Sequence, residues 1–147
     1  RVVAFGDEAR EIAIRDIPYL QVGPFHTNTR AGLELAQSML EGSRQANRQV
    51  FMITDGKPTA ITENGEVYRN PYGIDPKIIN QTLEAASACK RAGIGITTFM
   101  LATDPALQEF VEELSRINKG KAYFAAADKL GEFVFADYLR NKRRTVY

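Results

Sequence analysis

The sequence is poor in the two side chains that most often carry nucleophilic catalysis or bind transition metals. Among 147 residues there is one cysteine, Cys89, and one histidine, His26. A single cysteine excludes an internal disulfide and favours reducing surroundings. A single histidine argues against a histidine-based zinc site or catalytic dyad. Cys89 lies in an alanine-rich helical segment, which favours buried packing over reactivity.

Charge excess, long apolar runs and phosphate-binding glycine motifs are also absent. Nineteen basic residues stand against eighteen acidic ones, and the net charge of +1 gives no support to a nucleic-acid binder. No apolar run approaches the roughly 18 residues of a membrane span, and no signal peptide is visible. Neither the P-loop nor the dinucleotide-binding glycine pattern occurs. We therefore predict no nucleic-acid partner and no membrane segment.

Apolar patterning predicts one α/β domain over residues 1–147. The chain is 44% hydrophobic and 25% charged, as globular domains are. Short apolar runs alternate with segments of helical spacing, which is typical of a doubly wound, mostly parallel sheet with helices on both faces. The predicted strands are 1–5, 11–15, 50–53, 94–101 and 121–125. The predicted helices run from Thr29 to Glu41, from Asp75 to Gly93, from Asp104 to Gly120 and from Asp128 to about Arg140.

Two short connections predict antiparallel hairpins. Gly6-Asp-Glu-Ala-Arg10 joins the first two strands, and Asn64-Gly65 favours a type I′ turn between 60–63 and 66–68. We expect this second hairpin to protrude from the domain. The stretch from Asp16 to Asn28 holds two prolines and a glycine and is predicted to be a loop.

An acidic residue follows the most apolar strand directly. Asp55, in Ile53-Thr-Asp-Gly-Lys-Pro58, comes after a run that is expected to be buried on both faces. In sheets of this class ligands bind at the carboxyl ends of the strands. A carboxylate held there by the sheet suits Mg²⁺, which prefers oxygen ligands and retains waters. The alternative is a plain Asp-Gly turn.

A second polar segment, His26-Thr27-Asn28-Thr29, precedes the first predicted helix. One of its threonines is expected to cap that helix through its hydroxyl. The functional alternative is that Thr27 presents its hydroxyl to the same cation as Asp55.

Together these segments resemble a von Willebrand factor A domain. The resemblance rests on Thr54-Asp55-Gly56 after the apolar strand, and on Thr27-Asn28-Thr29 before Ala31-Gly32-Leu33-Glu34-Leu35-Ala36. It extends through Gly93-Ile-Gly-Ile-Thr-Thr-Phe and Leu114-Ser-Arg-Ile-Asn-Lys-Gly120 to the strand at Tyr123-Phe124. It covers nearly the whole chain and is closest to bacterial members.

The resemblance implies a binding module and not an enzyme. Such domains carry a metal-ion-dependent adhesion site, in which Thr27 would match the threonine and Asp55 the aspartate. The bound cation, Mg²⁺ or else Mn²⁺ or Ca²⁺, would accept an acidic group of a partner protein, with Asn28, Gly56 and Lys57 contacting that partner. The resemblance also implies a cytoplasmic location and association with an ATPase complex.

The chain departs from the family pattern at the start. No Asp-x-Ser-x-Ser motif occurs in the 147 residues. In the family's strand order, the first strand, which precedes that motif, is central. We therefore expect an N-terminally truncated domain with a gap between its second and fourth strands, an incomplete metal site and unpaired edges that could support a homodimer.

Two alternatives remain open from the sequence. One is a structural von Willebrand factor A-like domain whose metal site does not function. The other is a doubly wound hydrolase that uses Asp55 as acid or nucleophile, with Thr27, Lys57, Thr103 or Asp104 as the available second group.

Overall fold

Three parallel strands form the centre of the domain. The computed structural model describes residues 1–21 and 26–143, the side chains of 141–143 excepted. The strands are β1 (Val2–Phe5), β2 (Ala9–Ile12), β3 (Arg48–Thr54), β4 (Ala60–Glu63), β5 (Glu66–Arg69), β6 (Ile94–Met100) and β7 (Lys121–Phe124). The helices are α1 (Thr29–Glu41), α2 (Pro76–Arg91), α3 (Pro105–Asn118) and α4 (Leu130–Arg143). The α/β class predicted from the sequence is confirmed.

The strands form three separate hydrogen-bonded groups. The central sheet has the order β3-β6-β7, and both of its pairings are parallel. β1 pairs with β2, and β4 pairs with β5, each as an antiparallel hairpin. Part of the loop predicted between residues 16 and 28 is a 3₁₀ helix, Ile14–Tyr19, and residues 22–25 of that loop lie outside the described residues.

One face of the central sheet carries the main hydrophobic core. Side chains of β3 and β6 that point to this face pack against α1, α2 and α3 because all three helices turn an apolar stripe inward. The members with the least exposure are Leu33, Met52, Ala86, Cys89, Ile94, Ile96, Met100, Leu107, Phe110, Val111 and Leu114. Cys89 is therefore a core residue, as predicted.

α4 packs against part of the opposite face. Aromatic rings form a row across the strands, from Phe51 to Phe99 to Tyr123, and end on Phe133 of α4. Ile53, also on β3, keeps 45% of its surface exposed. The expectation that this strand is buried on both faces is therefore wrong at Ile53, because no described element covers this side chain.

Three helices begin at caps that use side-chain oxygens. Asp75 and Asp104 accept hydrogen bonds from the first free N–H groups of α2 and α3, and each is followed by proline, as predicted. At α1 the prediction of a threonine cap is wrong, because the side chain of Asn28 accepts the bond from Ala31 N. Asp128 lies in a 3₁₀ turn, and α4 begins two residues after it, not directly after it as predicted.

The β4–β5 hairpin does not protrude, contrary to the prediction. Ala60 and Ile61 are fully buried, and β4 packs against both α1 and α2. The turn itself is as predicted, since Asn64 and Gly65 have φ of 51° and 82°. Burying the base of the hairpin fixes the loop that connects it to β3.

An apolar groove separates β1 from β3. Its volume is about 520 Å³, and we call it the β1–β3 groove. It is floored by α1 and lined by residues that include Val2, Val3, Phe5, Leu33, Ala36, Leu40, Val50 and Met52. Within the described ranges, no strand pairs with β3 on the side away from β6. The groove therefore lies where the sequence analysis places a gap.

Candidate functional site

The carboxyl end of β3 presents Asp55 to solvent. β3 ends at Thr54, and the next residue, Asp55, is exposed. The turn that follows is shaped by Thr54, whose hydroxyl donates to Gly56 O at 2.9 Å and accepts from Gly56 N at 3.4 Å. Asp55 is thus a carboxylate on a turn that is closed by its own neighbours.

Thr27 lies beside this turn. Its N–H donates to the hydroxyl of Thr59 at 2.9 Å, and its carbonyl accepts from Thr59 N and Ala60 N at 3.0 and 3.3 Å. A Cβ atom placed on Gly56 would lie 3.5 Å from Thr27 Oγ1. The structure therefore brings the Thr27 hydroxyl against the residue that follows Asp55, although 28 positions separate Thr27 from Asp55 in the chain.

Asn28 has a structural position. Its side chain is fully buried, and besides capping α1 it donates to Asp7 O and to Thr62 Oγ1, both at 2.9 Å. Its amide therefore connects the β1–β2 turn, the start of α1 and β4. The side chain does not face outward, where the sequence analysis expects a partner contact, whereas Gly56 and Lys57 are half-buried beside Asp55.

A carboxylate that the sequence analysis does not assign to the site, Asp7, holds the segment before Thr27. Asp7 Oδ1 accepts from both N and Nδ1 of His26 at 3.0 Å, and Asp7 Oδ2 pairs with Arg69 at 3.0 Å. The hydrogen bond from Arg69, with that from the His26 backbone, lowers the pKa of Asp7 to about 2. The signal in the sequence is the same as for Asp55, namely an aspartate just after the end of a strand.

The donor set fits a hard cation in kind but is small. A threonine hydroxyl and a carboxylate are oxygen ligands of the type Mg²⁺ takes, and Mg²⁺ is commonly bound through one or two carboxylates with several waters retained. Within residues 1–21 and 26–143, no group of three or more histidine, cysteine, aspartate or glutamate side chains could hold a metal ion. Asp7 does not add to the set, because its oxygens are already bonded to His26 and Arg69.

Three of the groups that a hydrolytic site could use are engaged elsewhere. Asp104, a possible second group, caps α3 by accepting from Ala106 N and Leu107 N at 2.8 and 3.3 Å. His26 is bonded to Asp7, and Cys89 is buried in the core. An exposed carboxylate beside a hydroxyl can hold a cation or accept hydrogen bonds.

Comparison with known proteins finds one family and several relatives. The family described as "Rv0959-like protein, vWA domain" matches residues 1–139. Uncharacterized protein Rv0959 of Mycobacterium tuberculosis strain H37Rv is 32% identical over 150 residues, which is 98% of this chain and 22% of the relative. Uncharacterized protein Mb0984 of Mycobacterium bovis has the same identity and coverage.

The chain spans about a fifth of the length of these curated relatives. Among the described helices, none has both the length and the apolar character needed to cross a membrane.

Proposed function

Because the chain belongs to the von Willebrand factor A domain family, as an Rv0959-like member, we propose that it is a protein–protein interaction module that binds an acidic group of its partner through a divalent cation. The observation that supports this proposal most directly is the meeting of two loops at the carboxyl end of β3, where the Thr27 hydroxyl lies against Gly56 next to the exposed Asp55.

In this proposal Thr27 and Asp55 hold Mg²⁺, with Mn²⁺ or Ca²⁺ as substitutes. When bound, the cation offers a coordination position that a carboxylate from another protein can fill. Gly56 contributes by having no side chain between Thr27 and the turn. Lys57 adds a positive charge next to the place where an acidic partner would approach.

The surrounding hydrogen bonds would keep Thr27 in place. Thr27 is held through its backbone by Thr59 and Ala60, and the preceding residue is held by Asp7. Ligands that are already positioned lose less conformational entropy when the cation binds. This chain supplies two protein ligands, so we expect weak binding with several waters retained on the cation.

The proposal is for binding and not for catalysis. It includes a partner protein that presents an acidic side chain, within an assembly that contains an ATPase, as the family resemblance implies. The role of any larger protein that contains this domain follows from that partner and is part of the same proposal.

The competing candidate is a structural domain whose metal site does not function. The small donor set favours it, since no group of three or more histidine, cysteine, aspartate or glutamate side chains that could hold a metal ion occurs among the described residues. A measurement of cation binding separates the two candidates.

The experiment is calorimetric titration of Mg²⁺ and Mn²⁺ into the wild-type chain and into Asp55→Ala, Thr27→Ala and Asp16→Ala. Asp16 is the matched control because it is an exposed aspartate on the 3₁₀ helix. We expect saturable binding that Asp55→Ala abolishes, that Thr27→Ala weakens and that Asp16→Ala leaves unchanged. Absence of saturable binding in the wild type would favour the structural domain.

A further inference from the structure

Three large apolar side chains lie exposed on and after the β5 strand. Tyr68, Tyr72 and Ile74 keep 40%, 88% and 53% of their surface accessible. We call these three residues the Tyr72 patch. They lie within seven consecutive positions, so the exposure is concentrated in one short segment. Exposed apolar side chains gathered in one place commonly mark a site of contact with another protein.

The segment that carries the patch is held by a buried carboxylate. Asp75 is 8% exposed, and its Oδ2 accepts from Tyr68 Oη at 2.9 Å and from Asn70 Nδ2 at 3.0 Å. Its Oδ1 meanwhile caps α2 by accepting from Lys77 N and Ile78 N. These hydrogen bonds, those from Asn70 and Tyr68 above all, lower the pKa of Asp75. One side chain thus ties the patch segment to the start of a helix.

Two more contacts fix the patch. Tyr72 N donates to Asn70 Oδ1 at 3.1 Å, and Gly73 takes φ of +77°, which turns the chain between Tyr72 and Ile74. The Lys77 ammonium lies 4.6 Å from the centre of the Tyr68 ring and pairs with Glu63 at 2.6 Å. The apolar side chains are therefore exposed on a segment held by defined contacts, so little order is left to impose when a partner binds.

The patch connects directly to the candidate cation site. Asn70 N donates to Thr59 O at 2.9 Å, and Thr59 is the residue that bonds to both the N–H and the carbonyl of Thr27. A short series of hydrogen bonds, two of them to side-chain oxygens, therefore leads from Thr27 through Thr59 and Asn70 to Tyr72. The segment that carries the Tyr72 patch is therefore joined to the edge of the domain that carries Thr27.

We infer that the Tyr72 patch is the apolar half of the partner-binding surface, and that its partner is a protein segment with a large apolar or aromatic side chain close in sequence to an acidic one. This inference rests on the proposed function, because the acidic side chain is assigned to the cation at Thr27 and Asp55. Tyrosine suits such a surface, since it supplies a large contact area with few rotatable bonds. The cation would select for charge, and the patch would select among acidic segments.

The test uses the protein at its natural length and a library of displayed peptides, each with one fixed aspartate and four randomised positions on either side. Selection is done in Mg²⁺, and affinities of the selected peptides are measured by fluorescence anisotropy. We expect enrichment of Phe, Tyr, Trp or Leu near the aspartate. The double variant Tyr72→Ser/Ile74→Ser should bind these peptides about tenfold more weakly or worse, with Mg²⁺ dependence retained.

The control variant is Tyr19→Ser, because Tyr19 is 82% exposed on the 3₁₀ helix. It should bind the peptides as the wild type does, and thermal unfolding of all variants should match. Peptides without apolar enrichment, no enriched peptides at all, or unchanged affinity in the double variant would overturn this inference.

The two proposals fail in different ways. If peptide binding depends on Mg²⁺ and Asp55 but has the same affinity in Tyr72→Ser/Ile74→Ser, the proposed function stands and the inference about the Tyr72 patch is overturned. Binding that needs the patch but survives chelation and Asp55→Ala contradicts the cation-mediated function, and it overturns the combined surface inferred above.

Discussion

One carboxylate oxygen of Asp7 accepts two hydrogen bonds from His26, one from its backbone N and one from its ring Nδ1, each at 3.0 Å. The other oxygen pairs with Arg69, and the Asp7 carbonyl accepts from Asn28. One residue of the β1–β2 turn therefore joins the segment before Thr27 to the end of β5. If Thr27 and Asp55 bind a cation, Asp7 is the residue that keeps the Thr27 side of the site in place.

The hydrogen bonds of Asp7 to Arg69 and His26 predict that the free energy of unfolding depends on pH. The pKa of Asp7 is lowered from 3.8 to about 2. A carboxylate with a lowered pKa in the folded state stabilises the fold above its unfolded pKa, and this contribution fades as the pH falls from about 4 towards 2. In urea unfolding at pH 6, 4 and 3, Asp7→Asn should be less stable than wild type at pH 6, with the difference shrinking towards pH 3. A difference that stays constant with pH would contradict the assignment.

A side chain at position 120, just before β7, should destabilise the fold by a steric clash. A Cβ atom at this position would lie 2.0 Å from the carbonyl oxygen of Ile96. Gly120→Ala must therefore push β7 away from β6, and we expect it to lower the free energy of unfolding by about 3 kcal/mol.

The control for Gly120→Ala is Gly95→Ala, on β6 next to Ile96. A Cβ there meets nothing within 4 Å, so this variant should be as stable as the wild type or slightly more stable. Equal midpoints of chemical unfolding for the two variants would contradict the close approach at Gly120.

Asp137 predicts a stabilising role for a buried carboxylate on α4. It is 1% exposed and accepts from Lys121 and Tyr123 on β7 at 2.8 and 3.0 Å, and from Gln49 on β3 at 3.3 Å. Desolvation raises its pKa, but the hydrogen bonds from Lys121 and Tyr123 outweigh that effect, so the pKa of Asp137 is lowered.

Replacing Asp137 by asparagine removes the charge that faces the Lys121 ammonium. We expect Asp137→Asn to cost about 2 kcal/mol of stability, less than the loss of a fully buried pair because Lys121 is partly exposed. Glu132→Gln, an exposed position on the same helix, should change little. Circular dichroism during urea unfolding measures the free energy of unfolding of both variants. Equal losses of stability in the two variants would contradict the prediction.

Cys89 is predicted to be unreactive in the folded protein. It is fully buried between α1 and α2, and burial raises the pKa of its thiol to about 11. The thiolate is the species that attacks a disulfide reagent, so a chromogenic disulfide reagent at pH 8 should react with the native protein only as fast as the protein opens. The same reagent in denaturant should titrate one thiol at once. Rapid reaction under native conditions would be incompatible with this packing.

The β1–β3 groove predicts rapid amide exchange along one edge of β3. Among the described residues no strand pairs with the edge of β3 that lines this groove. Alternate amides of Val50–Ile53 should therefore exchange rapidly with solvent.

Protection that depends on protein concentration would instead indicate that two copies pair at this edge. Slow exchange of these amides at every concentration would contradict the open edge. Hydrogen exchange followed by nuclear magnetic resonance resolves the individual amides.

Local signals in the sequence determined most of the elements. Asp75-Pro76 and Asp104-Pro105 start helices because the aspartate bonds to free N–H groups within the same turn and proline fits the first helical position. Asn64-Gly65 makes its hairpin turn because both residues accept a positive φ. The helical spacing of apolar residues likewise predicted α2 and α3 as helices. None of these features depends on a residue far away in the chain.

Tertiary structure decided the features that join distant segments. The choice of Asn28 as a cap, the burial of Ala60 and Ile61, and the approach of Thr27 to Gly56 all depend on which elements meet. The hydrogen bond between Gln49 and Asp137 joins residues 88 positions apart. Local propensity carries no information about such contacts, because they are selected by the burial of apolar surface over the whole domain. The sequence by itself therefore predicted Thr27 and Asp55 as site residues, and only the folded chain brought the Thr27 hydroxyl beside the residue after Asp55, with Asp7 holding the segment before Thr27.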